Sequence, residues 1–258
     1  MTTIGILGCG PMGLLVAHAA ELAGHDVKIY SVKQKSDIPG SMHLHGPVPG
    51  LTGRYPEGTI QFIRMGTPEV YARKVYGDDK RLTGWDNYYQ VYPSWNVLKA
   101  YDKLWDWYED QITDVEVTHG LLGQLDYEFR SGALVSTIPQ HVLCVDPRHK
   151  FNGVPYFIKR VPTPPDDQNH ELVVYNGLAH DPWYRWSILG GLCSIEYSLN
   201  PPPDFDEKDP AWAYGQKAID NTCTCWPFIT RLGRWAEWKH GVTLFSSFTR
   251  AQNIMEAL

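Results

Sequence analysis

The feature that most constrains this chain is a glycine pattern near its beginning, Gly8-Cys-Gly-Pro-Met-Gly13. It follows a short apolar run, Thr3 to Leu7, that is typical of a buried strand. It precedes a helical pattern from Met12 to Gly24, and Val27 to Tyr30 then predicts a second strand. A strand, a tight turn, a helix and another strand in this order predict parallel strands joined by a crossover helix.

In this context, a different physical requirement explains why each of the three positions is a glycine. Gly8 permits the tight turn, Gly10 lets a diphosphate approach the backbone, and Gly13 lets the helix pack closely on the strand. The start of the helix offers unpaired N–H groups and a partial positive charge to an anion. The pattern predicts a dinucleotide-binding site, with a glycine turn that binds nothing as the alternative.

The residue at the end of the second strand does not decide which dinucleotide binds. An acidic residue that binds the ribose hydroxyls is usual there, but this chain has Ser31. Ser31 can still form a hydrogen bond with a ribose hydroxyl. Lys33 and Lys35 lie just beyond and can pair with the 2′-phosphate of NADP, or they are simply part of a solvated loop.

The rest of the chain predicts an α/β protein with a Rossmann-like parallel sheet and a smaller antiparallel layer on the substrate side. The predicted helices are 68–76 capped by Thr67, 94–110 capped by Ser94, 121–129 and 242–258. The predicted strands are 60–64, 114–117, 133–139, 150–161, 171–176 and 191–198. We assign residues 1–45, 94–145 and 222–258 to the dinucleotide-binding domain, and residues 46–93 and 146–221 to the substrate-side subdomain.

Composition limits the partners and the compartment. The 258 residues carry a net charge of −6, which does not favour non-specific binding to DNA, although Arg148, Lys150, Lys159 and Arg160 can form a local basic surface. No apolar run is long enough to span a bilayer, so we expect a cytoplasmic protein without membrane contact. The oligomeric state cannot be read from the sequence.

Five cysteines without a repeated framework indicate reduced thiols. Cys223 and Cys225 have a spacing that suits a metal, but no second pair of ligands lies near them in the sequence. We therefore expect no metal site.

Three separated segments resemble one family. The first runs from Gly8 to Tyr30, the second is Leu134-Val-Ser-Thr-Ile-Pro139, and the third is Arg231-Leu-Gly-Arg-Trp-Ala-Glu-Trp-Lys-His-Gly-Val242. They are similar to the FAD-binding flavoproteins that include amine oxidases and UDP-galactopyranose mutases, and most closely to compact phage-encoded FAD-dependent oxidoreductases. A weaker match around Tyr175-Asn-Gly177 and Pro182-Trp-Tyr-Arg185 is similar to the mutases near their sugar-nucleotide pocket.

The resemblance implies FAD as the cofactor and assigns residues to it. Those expected to contact FAD are Gly8, Gly10, Pro11, Met12, Gly13, Ser31, Val117, Thr137, Arg234, Gly241 and Val242. Ser31 departs from the family's acidic residue, and Ile38-Pro-Gly40 matches the family's next glycine pair only loosely.

The resemblance also implies where the chemistry lies. His43 and His45 occupy the loop that the family places against the flavin ring, where a histidine can serve as a hydrogen-bond donor or general base. Lys239 and His240 are the other catalytic candidates. Tyr175, Tyr184 and Arg185 are the predicted substrate contacts, and Arg185 suits a carboxylate or phosphate.

The implied function is an FAD-dependent oxidoreductase or oxidative lyase of the amine-oxidase kind. Hydride leaves a carbon next to nitrogen for the flavin, and the C–N bond is then split. The phage relatives imply a small-molecule or modified-nucleotide substrate, such as an amino-acid adduct of thymidine in phage DNA. The alternatives are a redox-neutral, mutase-like flavoprotein, a non-catalytic dinucleotide-binding protein, and an NADP-dependent reductase.

Overall fold

The computed structural model describes residues 1–38, 42–77, 85, 88–129, 133–164 and 171–258, and it divides the chain into two compact units. Unit 1 comprises Met1–Asp37, Lys99–Asn152 and Ala218–Leu258, and unit 2 comprises Ile38–Leu98 and Gly153–Lys217. The predicted Pro39 and Gly40 match lies outside the described residues. No helix in the described ranges is both long and apolar enough to cross a membrane.

The elements in chain order are β1 (Thr3–Leu7), α1 (Pro11–Leu22), β2 (Asp26–Ser31), β3 (His43–Leu44), β4 (Gly58–Gly66), α2 (Pro68–Tyr76), β5 (Tyr89–Asn96), α3 (Val97–Tyr108), a 3₁₀ turn (Glu109–Gln111), β6 (Ile112–Asp114), α4 (His119–Glu128), β7 (Leu134–Ser136), α5 (Gln140–Leu143), β8 (Phe151–Val161), β9 (Glu171–Gly177), β10 (Arg185–Leu189), β11 (Leu192–Ser198), β12 (Trp212–Asn221), β13 (Ile229–Arg231), α6 (Arg234–Glu237) and α7 (Leu244–Glu256).

Unit 1 is built on a five-stranded sheet in the order β13-β7-β1-β2-β6. Every neighbouring pair in this sheet is parallel. Strand β1 lies in the middle, and its residues Ile4, Ile6 and Leu7 are fully buried, as expected of an apolar strand that is covered on both faces. The predicted Rossmann-like parallel sheet is confirmed.

Helices α1 and α7 pack together in unit 1. Helix α1 buries nine consecutive residues, Met12 to Ala20, so its sequence is apolar all round rather than on one face. Helix α7 starts at a capping box in which Thr243 and Ser246 satisfy each other's backbone N–H groups. Its end is fixed to the start of β2, because the His25 ring lies 2.7 Å from the Met255 carbonyl oxygen.

Unit 2 contains an eight-stranded sheet in the order β12-β8-β11-β10-β9-β4-β5-β3. The antiparallel arrangement predicted for β8, β9 and β11 is confirmed: β8 pairs with β11, and β10, which was not predicted, pairs with both β9 and β11. Strands β4 and β9, in contrast, pair in parallel. This sheet has more strands than the parallel one. The sequence showed fewer of its strands because β5, β10 and β12 lack a clean polar and apolar alternation.

Several predicted boundaries differ from the structure, two of them for a clear physical reason. Ser94 does not cap a helix; it lies in β5, buried, and its hydroxyl donates to the Glu171 carboxylate at 2.5 Å. The cap of α3 is Asn96, whose side-chain oxygen accepts from the Leu98 N–H. The strand predicted at Asp114 to Val117 ends at Asp114 instead, since the residues in register with β2 are Ile112 to Asp114.

Candidate functional site

The predicted cofactor contacts of unit 1 follow the carboxyl ends of its parallel strands. Gly8 follows β1, Ser31 ends β2, Val117 follows β6, Thr137 follows β7, and Arg234 follows β13. Because the five strands are parallel, these ends share one edge of the sheet. In open α/β sheets, this is the edge at which ligands bind.

The glycine turn has the geometry that the sequence predicted. Gly8 has a φ of +101°, which L side chains rarely adopt. A Cβ on Gly13 would lie 1.9 Å from the Gly8 carbonyl oxygen, so only glycine lets α1 start so close to β1. At Gly10, the nearest atom to an added Cβ is Ser36 Oγ at 3.5 Å. The backbone at Gly10 is therefore open to a ligand, as a diphosphate requires.

The start of α1 is also free to bind an anion. Its N-cap is Gly10, no side chain caps the first turn, and that turn contains no acidic residue. Pro11 occupies the first position, where its missing N–H costs nothing. The remaining N–H groups and the positive end of the helix dipole are thus left for a ligand.

The closing motif meets the glycine turn. Gly233 has a φ of +104°, and a Cβ added to it would lie 3.1 Å from the Met12 side chain. Arg234 follows directly, and its Nε donates to the Val242 carbonyl at 3.3 Å. The predicted contacts Met12, Arg234 and Val242 are therefore brought together by tertiary structure, although more than 200 residues separate the first from the others.

The middle motif lies at the same turn. Thr137 donates from its backbone N–H and from Oγ1 to the Leu7 carbonyl, at 2.9 and 3.0 Å. A Cβ on Gly8 would lie 2.8 Å from Thr137 Oγ1. The position of Thr137 supports the turn, so its hydroxyl is already committed to the backbone of β1.

Asp114 is a residue of this edge that the sequence analysis missed. It lies opposite Ser31 in the register of β2 and β6, and its carboxylate accepts from the Lys33 N–H at 2.9 Å. A carboxylate therefore stands beside Ser31 on the neighbouring strand. The only signal for it was the strand end itself, and the register was needed to recognise it.

The two lysines beyond Ser31 form ion pairs with acidic residues. Lys35 Nζ lies 2.7 Å from Asp102, and Lys33 Nζ lies 3.9 Å from Asp110. A 2′-phosphate would have to compete with these carboxylates. The structure thus favours the interpretation of both lysines as part of a surface loop rather than as an NADP site.

The remaining candidates of unit 1 lie on loops. Val117 is half-buried between β6 and α4, whereas Lys239, His240 and Gly241 are exposed between α6 and α7. Lys239 lines an open polar cleft of about 400 Å³ together with Arg231, Glu237 and Arg250 among others.

In unit 2, His43 and His45 lie side by side with ring centroids 4.2 Å apart. His43 also packs against Phe62, at 5.7 Å between the rings. The His43 Nε2 atom is buried and has no hydrogen-bond partner among the described residues. A buried ring nitrogen without a hydrogen-bond partner destabilises the folded protein unless a ligand or water supplies that partner.

The predicted substrate contacts of unit 2 surround Arg185. Its Nε donates to Glu196 Oε1 at 2.7 Å, and the Tyr184 hydroxyl donates to Glu196 Oε2 at 2.6 Å. Tyr175 stacks on Phe62 at 5.9 Å. Arg185 is close enough to His43 for its charge to lower the pKa of His43. His43, Tyr175 and Arg185 therefore belong to one group, which we call the Arg185 cluster together with Phe62 and Glu196.

Tyr184 and Glu196 change the expected roles within this cluster. Tyr184 is 1% exposed, and burial together with Glu196 raises the pKa of its hydroxyl well above the usual range. The Tyr184 hydroxyl is thus committed to Glu196, and a substrate contact of Tyr184 stays a prediction. Glu196, which the sequence analysis missed, is 1% exposed and neutralises Arg185, so Arg185 is not a free cation awaiting a substrate anion.

The environment of His43 predicts a pH dependence of stability. Burial, with smaller effects of His45 and Arg185, lowers the pKa of His43 to about 3, whereas an unfolded histidine has a pKa of about 6.5. Between these values the unfolded chain binds more protons, so the free energy of unfolding falls as the pH drops from 6.5 towards 3. We expect the His43→Asn variant to show a shallower fall between pH 6.5 and 4.5 in urea unfolding. An unchanged slope would contradict a His43 that stays neutral in the folded protein.

Comparisons with known proteins identify the fold. In sequence, the chain matches no protein-family model and no curated protein. In structure, it is similar to CtdE solved with FAD and a substrate, at 11% identity and a TM-score of 0.57, over 100% of this chain and 81% of that one.

Two further structures are similar. One is the peptidyl tryptophan dihydroxylase QhpG, essential for tryptophylquinone cofactor biogenesis, at 13% identity and a TM-score of 0.54, over 98% of this chain and 65% of that one. The other is FqzB, at 10% identity and a TM-score of 0.53, over 99% of this chain and 74% of that one. The chain therefore has the fold of flavoproteins that bind FAD.

Proposed function

We propose that this protein is an FAD-dependent oxidoreductase. The observation that carries the proposal is the convergence of the glycine turn, the Thr137 segment and the Gly233-Arg234 turn at the carboxyl edge of one parallel sheet. The similarity to a flavoprotein solved with FAD supports the same cofactor.

The residues of unit 1 fit the cofactor in detail. The open backbone at Gly10 and the uncapped start of α1 suit the diphosphate. Arg234 lies at the adjoining turn, where a guanidinium can bind phosphate oxygens. Ser31 and Asp114, in register at the ends of β2 and β6, offer a hydroxyl and a carboxylate that could bind the ribose of FAD. When bound, FAD would supply a two-electron acceptor that no side chain provides.

In its finer form, the proposal is oxidation at a carbon next to nitrogen, followed by cleavage of the C–N bond. The substrate class is an amine, with an amino-acid-modified thymidine of phage DNA as the specific candidate. Support for this form comes from the sequence resemblance to amine-oxidase-like flavoproteins. Within unit 2, the Arg185 cluster supplies a neutral imidazole at His43, whose Nε2, unpartnered in the described part of the chain, can form a hydrogen bond that orients a substrate amine.

The structural comparisons favour a second candidate, an FAD-dependent hydroxylase. QhpG is a dihydroxylase, and its likeness covers nearly the whole of this chain. The two candidates differ in the source of electrons. An amine oxidase or lyase is reduced by its substrate, whereas a hydroxylase takes electrons from a separate reductant before it uses oxygen.

The first experiment tests the cofactor. We expect the purified protein to be yellow, and the cofactor released by heat to have the mass of FAD. Arg234→Ala should weaken FAD binding by roughly 10- to 100-fold, since a hydrogen bond to a charged group is worth about 1.5–3 kcal/mol. Lys28→Ala removes the same charge at the exposed Lys28–Glu128 pair and should leave FAD binding unchanged. A colourless protein that takes up no FAD would refute the proposal.

The second experiment separates the two candidates. Under anaerobic conditions, an amine substrate of the predicted class should bleach the visible absorbance of the flavin without NAD(P)H, because an oxidase takes its electrons from the substrate. Anaerobic bleaching by NAD(P)H alone, followed by incorporation of oxygen into the substrate once air is admitted, would instead establish the hydroxylase. His43→Asn should slow substrate-dependent bleaching while leaving the FAD content of the protein unchanged.

A further inference from the structure

Four potential metal ligands from two distant segments of unit 1 converge at one point. Cys144 and His149 follow α5, whereas Cys223 and Cys225 lie between β12 and β13. One ligand atom from each of the four lies within 4.8 Å of all the others. The sequence analysis found no second ligand pair for Cys223 and Cys225, and the structure supplies it.

The distances suit a single tetrahedral ion. Cys144 Sγ lies 3.8 Å from Cys225 Sγ, and His149 Nδ1 lies 3.3 Å from Cys144 Sγ and 3.5 Å from Cys225 Sγ. With Zn–S bonds of about 2.3 Å and Zn–N bonds of about 2.1 Å, a tetrahedron has edges of about 3.8 Å between sulfurs and about 3.6 Å between sulfur and nitrogen. These three separations agree with the edges, and the Cys223 sulfur lies within 4.8 Å of the other three ligand atoms.

The same distances do not fit a disulfide. The sulfurs of a disulfide are about 2.05 Å apart, and Cys144, Cys223 and Cys225 are all unbridged. Three thiols and an imidazole around one point make a ligand set that favours zinc or another thiophilic divalent ion.

Hydrogen bonds outside the cluster hold the two segments in place. Lys150 and Thr222 are joined twice, from Lys150 N–H to Thr222 Oγ1 at 2.9 Å and from Thr222 N–H to the Lys150 carbonyl at 3.1 Å. The Trp226 indole donates to the Leu143 carbonyl at 2.7 Å. The ligand backbones are therefore positioned by contacts that do not involve the ligand atoms themselves.

Two of the four ligands also have polar neighbours that orient them. His149 faces the sulfurs with Nδ1, while its Nε2 lies 3.9 Å from an Asp146 carboxylate oxygen. A carboxylate on the far side of a ligating imidazole is a recurrent arrangement in metal sites. Gln140 donates to the Cys223 carbonyl at 3.1 Å and helps to fix that ligand's backbone.

We propose that Cys144, His149, Cys223 and Cys225 bind one structural zinc ion. All four positions of a tetrahedral ion are filled by protein atoms, which leaves no position for a substrate or water and is typical of a structural site. The ion cross-links the segment after α5 to the loop between β12 and β13, about 75 residues further along the chain. It thereby stabilises the part of unit 1 that leads into β13 and the closing motif.

Metal analysis of the full-length protein tests this proposal. After expression with added zinc and dialysis against a buffer without chelator, we expect about one zinc per chain, as a closed four-ligand site requires. Cys144→Ser and Cys225→Ser should each lose most of this zinc. Cys193→Ser is the matched control, because Cys193 is buried in unit 2 and lies outside the cluster; its zinc content should equal that of the wild type.

A second measurement needs no variant and so remains valid if the serine variants fail to fold. Cobalt(II) exchanged into the wild-type protein should give intense visible bands of a tetrahedral ion and ultraviolet thiolate charge-transfer bands. Zinc should also protect three thiols from Ellman's reagent until a chelator is added. The proposal is overturned if the wild type binds no zinc and shows no such cobalt bands, or if zinc content is the same in Cys225→Ser. Both readouts are independent of FAD content, so failure of the proposed function leaves them unaffected.

Discussion

Replacing Gly13 by alanine is expected to strip the protein of FAD and to destabilise unit 1. The added Cβ would lie 1.9 Å from the Gly8 carbonyl oxygen and 3.1 Å from Thr137 Oγ1. The first of these atoms belongs to the backbone of the turn, so it cannot move without shifting the turn itself. Overpacking of this kind costs about 1–3 kcal/mol and at times more, and displacement of the N–H groups at the start of α1 should weaken FAD binding by at least about tenfold.

Gly123→Ala provides the matched control for this prediction. Gly123 lies inside α4, and an added Cβ would meet nothing within 4 Å. Alanine is the better helix former by about 1 kcal/mol, so this variant should be as stable as the wild type or slightly more stable. Thermal unfolding and FAD titration of both variants make the comparison. Equal FAD affinity in Gly13→Ala and Gly123→Ala would show that the turn does not hold the cofactor.

The sequence was most informative where a structure depends on neighbouring residues. Helix α2 begins and ends at the predicted residues, because Thr67 caps it, Pro68 starts it and Gly77 ends it in the left-handed conformation. The glycine turn is similarly local, since its requirements for positive φ and close packing fall on three residues within six positions. These signals predicted the start of the parallel sheet and the place of the proposed cofactor.

The sequence was least informative where a residue depends on a distant partner. Ser94 resembled a helix cap, but its hydroxyl binds Glu171, 77 residues away. Lys35 resembled a phosphate ligand until the fold placed Asp102 beside it. In both cases the local pattern is compatible with two structures, and a tertiary contact decides between them.

The cysteine cluster illustrates the same limit at a functional level. Cys223 and Cys225 are close in sequence, and Cys144 and His149 are five residues apart, yet nothing in the sequence joins the two pairs. The joining contacts are the hydrogen bonds between Lys150 and Thr222, which lie next to the neighbouring strands β8 and β12. A ligand set divided in this way is recognised from the structure alone.

Replacing Arg185 by leucine is expected to produce the largest loss of stability in unit 2. Glu196 is 1% exposed, and Arg185 is the cation that neutralises it. Removing one member of a buried ion pair leaves an uncompensated charge and costs about 3–5 kcal/mol. Urea unfolding at pH 7 should therefore show a much lower midpoint for Arg185→Leu. Substrate turnover should also fall, because Arg185 belongs to the same cluster as His43 and Tyr175.

A second substitution distinguishes the buried charge from lost packing. In the double variant Arg185→Leu with Glu196→Gln, the neutral amide leaves no unpaired charge and can still accept from the Tyr184 hydroxyl. We therefore expect the double variant to be more stable than Arg185→Leu alone. Lys28→Leu, at an exposed ion pair of unit 1, should change stability little. If the double variant is as unstable as the single one, the loss of stability comes from the lost contacts of the guanidinium. Neutralising the charge of Glu196 is then not the role of Arg185.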